Sequence, residues 1–271
     1  MTPSDACACG VEGPEVLACA VPYGVGGLGR HLAQLVEEAR RGGRLRAYFA
    51  TRPRAYDTSG RAVDARLFRL LYRWTPLRFS PAWQETVGSA LFDRAVARVL
   101  AANATVFRGF ASMALRSFEA ARRLGYGVRM LESASAHVRQ YADRVHRASV
   151  LFPYEPSPVG DSTVDRVLRE YAAADVIWVT SEYSYASFVA QGVAEEKLRT
   201  RRLVVPERFR PPATRSPDGT FRIVCTGAIT PGKGTPVLVE AFRRFEGSAE
   251  LVLVGYTRSR GMRRWLADVA D

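Results

Sequence analysis

The 271-residue chain carries 39 basic and 27 acidic side chains, a formal net charge of +12. Only two of the basic residues are lysines, Lys197 and Lys233, and the arginines are scattered without the run of five or six that a nucleic-acid tail has, so no nucleic-acid partner is expected. With 47% hydrophobic and 24% charged residues the chain has ordinary globular composition, and no apolar run approaches the roughly 18 residues of a membrane span.

In chain order, residues 16–21 read as a buried strand. It runs into a glycine-rich turn at 22–30 and a helix over about 28–41. A second strand follows at 45–50. Helices are expected at 63–74 and 83–101, separated by Pro76 and Pro81. A strand at 105–110, a helix at 111–124 stopped by Gly125, a strand at 128–132 and a helix at 136–147 come next. Residues 150–162 read as a loop, 164–174 as a helix, 176–180 as a strand, 182–191 as a helix closed by Gly192, and 203–205 as a short strand. Strands alternating with helices, without hairpin signals, argue for a parallel α/β sheet covered on both faces. Residues 206–219 hold four prolines, and the strand–helix rhythm restarts after them. The expected organisation is a Rossmann-like domain at 14–206, a linker at 207–219 and the beginning of a second Rossmann-like domain at 220–271.

Cys7, Cys9, Cys19 and Cys225 make neither a disulfide framework nor a paired zinc signature. Cys19 and Cys225 fall within apolar strands and read as core. Free thiols fit a reducing cytoplasm, and the acidic, polar start lacks the basic region of a signal peptide.

Four features carry chemistry. Gly24-Val25-Gly26-Gly27-Leu28-Gly29 contains G-x-G-x-x-G between a strand and a helix, the form of a dinucleotide fingerprint. Where that pattern wants an acidic residue after the second strand, this chain has Arg52 and Arg54. The turn therefore reads as NADP-binding or as a close approach to any phosphate or sugar. Residues 227–235, with Gly227, Thr230, Lys233 and Gly234, place a cation and free backbone N–H groups at a helix N-terminus, where phosphate binds. The spacing also fits a P-loop, but Pro231 disfavours a continuous cradle of amides, and a P-loop kinase places far more chain after the loop than this sequence does. His137 follows the carboxyl end of a strand, where open α/β sheets place ligand-binding residues; a core or capping role is the alternative. His31 and His146 read as structural or solvated. Arg66, Arg69 and Arg73 share a helical face with Leu67, Leu71 and Trp74 beside it. Such a helix either rests on an anionic membrane surface or packs on the sheet with its arginine stems covering the flank.

Three segments together resemble the family 4 glycosyltransferases of the two-domain GT-B fold. They are the Gly26-Gly27 turn, the run 171–197 (Tyr171, Asp175, Ser181-Glu182, Phe188, Gly192-Val193, Glu196-Lys197), and 221–242 with 251–255. The resemblance implies a retaining transfer of a sugar from a nucleotide diphosphate sugar to a glycan, lipid or small-molecule acceptor, without cofactor or metal. Lys233, Thr230, Gly227 and Gly234 would hold the donor from the second domain, and Gly26 and Gly27 would approach its diphosphate from the first. His137 would face the donor sugar as the catalytic residue. Arg66, Arg69, Arg73 and Trp74 would form an acceptor or membrane-facing surface of a cytoplasmic, peripheral enzyme.

The chain departs from the family at three places. Ala228 stands where an arginine is common, Pro206-Glu207-Arg208 replaces a Gly-Val-Asp loop, and the Glu-x7-Glu donor motif would lie beyond Asp271. These departures lead to the expectation of a truncated chain that transfers no sugar by itself. An inactive GT-B-like module for a glycan or membrane surface, and an NAD(P)-binding oxidoreductase, are the alternatives.

Overall fold

A computed structural model describes residues 13–63, 66–75, 81–203, 210, 220–257 and 259–269. Cys7, Cys9 and, apart from Arg210, the expected linker at 207–219 lie outside the described residues, as do the side chains of Arg66, Leu67 and Arg69. The chain divides into two compact units. One comprises 1–140 and 160–203, the other 141–159 and 204–271.

The first unit begins with β1 (Glu15–Ala18), α1 (Gly26–Arg41), β2 (Leu45–Ala50) and β3 (Gly60–Ala62). It continues through α2 (Arg66–Trp74), α3 (Pro81–Val99), β4 (Val106–Phe110), α4 (Leu115–Arg123), β5 (Val128–Ser133) and α5 (Val138–Leu151), whose residues from Tyr141 on belong to the second unit. Then come α6 (Asp161–Ala173), β6 (Val176–Val179), α7 (Glu182–Val189) and β7 (Leu198–Thr200). The seven strands form one sheet in the order β3-β2-β1-β4-β5-β6-β7, all neighbours parallel.

Every β1 residue is buried, as a central parallel strand requires. Helix α1 buries Leu32, Leu35, Val36 and Ala39, the i, i+3, i+4, i+7 stripe of a helix on a sheet. Arg40 and Arg41 in its last turn complement the helix dipole. The core joins Leu17, Leu32, Tyr48, Phe107, Phe110, Phe118, Leu131, Ile177 and Phe188, each at most 1% exposed. Burying a side chain of this size contributes about 1.5–3 kcal/mol.

Two strands escape the sequence reading. β3 is Gly-Arg-Ala, without β-branched or aromatic residues. It pairs because Tyr48–Ala50 offers an edge, and Gly60 fits only because it lacks a Cβ, which would lie 2.8 Å from Tyr48 Oη. The helix expected over 63–74 accordingly starts at Arg66. A strand that was not expected lies at Leu198–Thr200, where Leu198 is buried and pairs in register with Ile177; of the strand expected at 203–205 only Leu203 is described, and it is exposed and belongs to no strand. Residues 204 and 205 fall outside the described set. The polar run around one buried leucine hides the strand at Leu198–Thr200. α5 also runs to Leu151, into the expected loop.

The second unit contains β8 (Phe221–Ala228), a 3-10 turn at Pro231–Lys233, α8 (Thr235–Arg243), β9 (Ala249–Tyr256) and α9 (Arg260–Val269). β8 and β9 pair in parallel from Phe221↔Ala249 to Ala228↔Tyr256. Its core is Val239, Met262 and Trp265, with Tyr154, Ile229, Leu251 and Leu253 against them. Tyr154 stacks on Trp265 at 5.3 Å and its carbonyl accepts from Ser259 Oγ at 2.7 Å. Cys19 is buried as expected. Cys225 is only half-buried, because the two-stranded sheet is thinly covered. No described helix is long and apolar enough to cross a membrane.

Candidate functional site

Strand order reverses between β1 and β4, and at such a switch point the carboxyl ends of the strands open a crevice for ligands. Five helices follow strands of the sheet directly at this end, α1, α2, α4, α5 and α7, and the two residues just before α2 lie outside those described. Three have their N-terminal amides occupied by the protein itself. At α4, Glu170 accepts from the N–H groups of Ser112 (2.6 Å), Ala114 (2.9 Å) and Leu115 (3.2 Å), and Asp93 from those of Arg116 and Ser117, both at 2.8 Å. Arg166 pairs with both carboxylates, one cation to two acids. At α5 the amides of His137 and Val138 go to Ser187 Oγ (2.8 Å) and Tyr171 Oη (3.2 Å). At α7, Ser181 accepts from Ser184 N at 3.1 Å.

Helix α1 differs: its N-cap is Val25, which has no side chain to cap it. The glycines before it have separable causes. Gly29 cannot carry a Cβ, which would lie 2.3 Å from the Pro22 carbonyl, so it serves packing. Gly24 and Gly26 have φ of 73° and 69°, a turn conformation that glycine permits. Gly27 has neither constraint, and a Cβ there would meet nothing within 4 Å. Gly26 and Gly27 are exposed, so backbone amides and positive helix-dipole charge face open space. The turn is braced by Tyr23 N donating to Arg52 O at 2.9 Å and by Gly24 N donating to Gly29 O at 2.9 Å.

His137 is 2% exposed, held between Tyr171 (5.0 Å) and Phe188 (5.2 Å). Its Nδ1 accepts from Arg139 N at 3.4 Å, which leaves Nε2 as the protonated nitrogen of a neutral ring. Burial, and then the Arg139 charge, push its pKa down to about 4. The residues that clasp it, Tyr171, Ser187 and Phe188, all come from the stretch that carried the family resemblance.

Residue by residue, sequence reasoning did not find the charged frame behind this loop. Arg108 Nη1 donates to Glu132 Oε1 at 2.7 Å and Arg108 Nε to Glu15 Oε2 at 3.3 Å, all three side chains being buried. His31 Nε2 lies 3.5 Å from Glu132 Oε2, so this histidine is structural, while His146 is exposed. Arg201 adds contacts to Glu132 (3.6 Å) and Glu38 (3.9 Å) and lies 4.3 Å from the Trp178 ring. Glu132 thereby ties α1, which carries the glycine turn, to β5, which leads to His137. The available signal was charge at positions 15, 108 and 132, within or at the start of largely apolar strands.

In the second unit, Gly227 (φ 137°) is the penultimate residue of β8 and Gly234 (φ 75°) joins the 3-10 turn to α8. The amides of Lys233, Gly234 and Thr235 turn back to the carbonyls of Thr230 and Pro231, at 3.2, 2.9 and 3.4 Å. A P-loop cradle is therefore not formed, and Pro231 and Pro236 contribute no N–H. Lys233 is exposed and makes no ion pair among the described residues. Along α2, Leu70 (56%) and Trp74 (75%) are exposed, and the Arg73 guanidinium lies 5.6 Å over the Trp74 ring.

No protein-family model matches the sequence, and no curated protein matches it. Solved structures do. Anabaena HepE, in complex with UDP and glucose, aligns with TM-score 0.53 at 13% identity, over 95% of this chain and 65% of HepE. The apo form of the lipopolysaccharide outer core galactosyltransferase WaaB aligns with TM-score 0.48 at 11% identity over the same shares. The chain thus spans about two thirds of the length of either structure. Together with the parallel sheet, the HepE likeness shows an α/β fold of the GT-B type.

Proposed function

We propose that the protein is a glycosyltransferase of the family 4 type, moving a sugar with retention from a nucleotide diphosphate sugar to a glycan, lipid or small-molecule acceptor. The observation that carries this reading is the solvated glycine turn at the start of α1, whose amides no described side chain fills, whereas side chains cap α4, α5 and α7. HepE, which shares the fold, is bound to UDP and glucose.

On this reading the Gly26 and Gly27 backbone approaches the donor diphosphate. The Lys233 ammonium, with Thr230 and the Gly227 and Gly234 turns, offsets charge that develops on the leaving diphosphate. A compact ammonium suits an end-on phosphate oxygen. His137, held neutral by burial, presents Nε2–H to a sugar hydroxyl. The exposed Trp74 with Arg73 favours a second contact, of α2 with a lipid acceptor or an anionic membrane surface. The chemistry needs no metal or cofactor.

Titration of the chain with UDP, GDP and ADP tests the reading. One of them binds, and Lys233→Ala and Gly27→Leu each weaken it about tenfold, or ~1.4 kcal/mol, without shifting Tm. Neither substitution meets a packed neighbour. Binding of none of the three, or indifference to both substitutions, removes the proposal.

A further inference from the structure

The loop between β2 and β3, residues 51–59, has no part in donor binding as described. Yet it is braced against the glycine turn. Tyr23 N donates to Arg52 O at 2.9 Å and Thr51 N to Val21 O at 3.2 Å, while Tyr23 Oη (2.9 Å) and Arg54 Nη1 (3.4 Å) share Glu37 Oε1. At its tip Asp57 N donates to Arg54 O at 3.3 Å, closing a four-residue turn with Tyr56 in third place. Tyr56 has φ of 60°, a position that ordinarily goes to glycine or asparagine. Its ring is wholly exposed, at 105% of the reference area, so no burial compensates the backbone.

The conformation is imposed from below. The Asp57 carboxylate accepts from Arg40 Nη2 (2.6 Å), Ser59 Oγ (2.6 Å) and Ser59 N (3.1 Å), and Arg54 N donates to Tyr48 Oη at 2.9 Å. A strained, solvated aromatic on a fixed turn at the carboxyl end of a parallel strand is a ligand platform in both geometry and place. Charge selects the ligand. Arg40, Arg52, Arg54 and Arg61 meet only two carboxylates in this loop and its braces, Glu37 and Asp57.

We infer that this loop is the acceptor subsite and that the acceptor is an anionic sugar, a ring bearing a phosphate or carboxylate. Tyr56 stacks on the apolar face of the ring, and Arg52 and Arg54 bind the anion. The word acceptor rests on the transferase reading; the binding of an anionic sugar does not.

The test titrates the full chain, by ligand-observed NMR, with glucose 6-phosphate, glucuronic acid and glucose. The two anionic sugars are expected to bind at least tenfold more tightly than glucose, and Arg52→Gln to remove most of that preference. Tyr56→Gly is expected to weaken glucose 6-phosphate at least fivefold while raising Tm by about 2 °C, because glycine is at home at positive φ. That pairing of lost binding with gained stability is one a merely structural tyrosine would not give. Equal binding of glucose, no binding of any sugar, or a Tyr56→Gly variant that keeps its affinity overturns the inference. So does Tyr56-dependent binding of phosphatidylserine vesicles in place of the sugars. Parallel UDP titration of the unaltered chain separates the two readings: UDP without anionic sugar sinks the subsite alone, and anionic sugar without any nucleotide sinks the transferase alone.

Discussion

Strands β1 and β9 are similar in composition and opposite in fate. Val16-Leu17-Ala18 is at most 2% exposed, in the middle of seven strands. Leu251-Val252-Leu253-Val254 is more apolar, yet Val254 is 51% exposed and none of the four is fully buried, in a sheet of two. Burial is therefore a property of what covers a strand. The first unit combines a large apolar core with buried carboxylates held in arginine and amide networks. The second relies on Val239, Met262 and Trp265.

The contrast can be broken where each unit is weakest. The largest effect is expected at Asp93, which is 0% exposed and serves Arg166 and two amides of α4. Asp93→Ala removes one of the two carboxylates that pair with Arg166 and leaves two α4 amides without their acceptor, and should cost the first unit about 3–5 kcal/mol in urea unfolding. Amide exchange in β8 and β9 should not change; acceleration in both units together would show a single cooperative structure. Trp265→Ala is the converse, costing about 3 kcal/mol, with β8 and β9 exchanging faster while β1 and β4 stay protected.

A smaller effect comes from pH. His137 titrates near 4 when folded, against 6.5 as its ordinary value, so its contribution is full above pH 6.5 and is lost as pH falls through 4. The first unit should lose on the order of 2 kcal/mol over that window, and His137→Gln should flatten that part of the profile. The smallest is Gly234→Ala, about 1 kcal/mol from the second unit, because φ of 75° disfavours a Cβ although nothing lies within 4 Å of it.

Much of the fold was legible. The strand at 45–50 matches in full, and most helices agree to within a few residues, because period-3.6 and continuous apolar runs survive in any context. β3 and β7 were not legible: their pairing partners supply the order, and their own residues carry no strand signal. In the candidate site, the glycine turn and His137 stood out by position after a strand. What distinguishes α1 from α4 and α5 depends on contacts from residues 50 or more positions away, such as Glu170 on Ser112 and Ser187 on His137, and what distinguishes Gly27 from Gly29 on the turn that brings the Pro22 carbonyl against Gly29.

The sequence alone determined the alternation of strand and helix, the restart after the prolines, and the residue types at the turns, since these follow from local periodicity and backbone preference. The tertiary structure decided that the N-terminus of α1 stays open while those of α4 and α5 are filled, that His137 is neutral, that Glu132 joins α1 to β5, and that Tyr56 stands strained in water. Each of those depends on groups distant in the chain meeting where solvent has been excluded or, at Tyr56, has not.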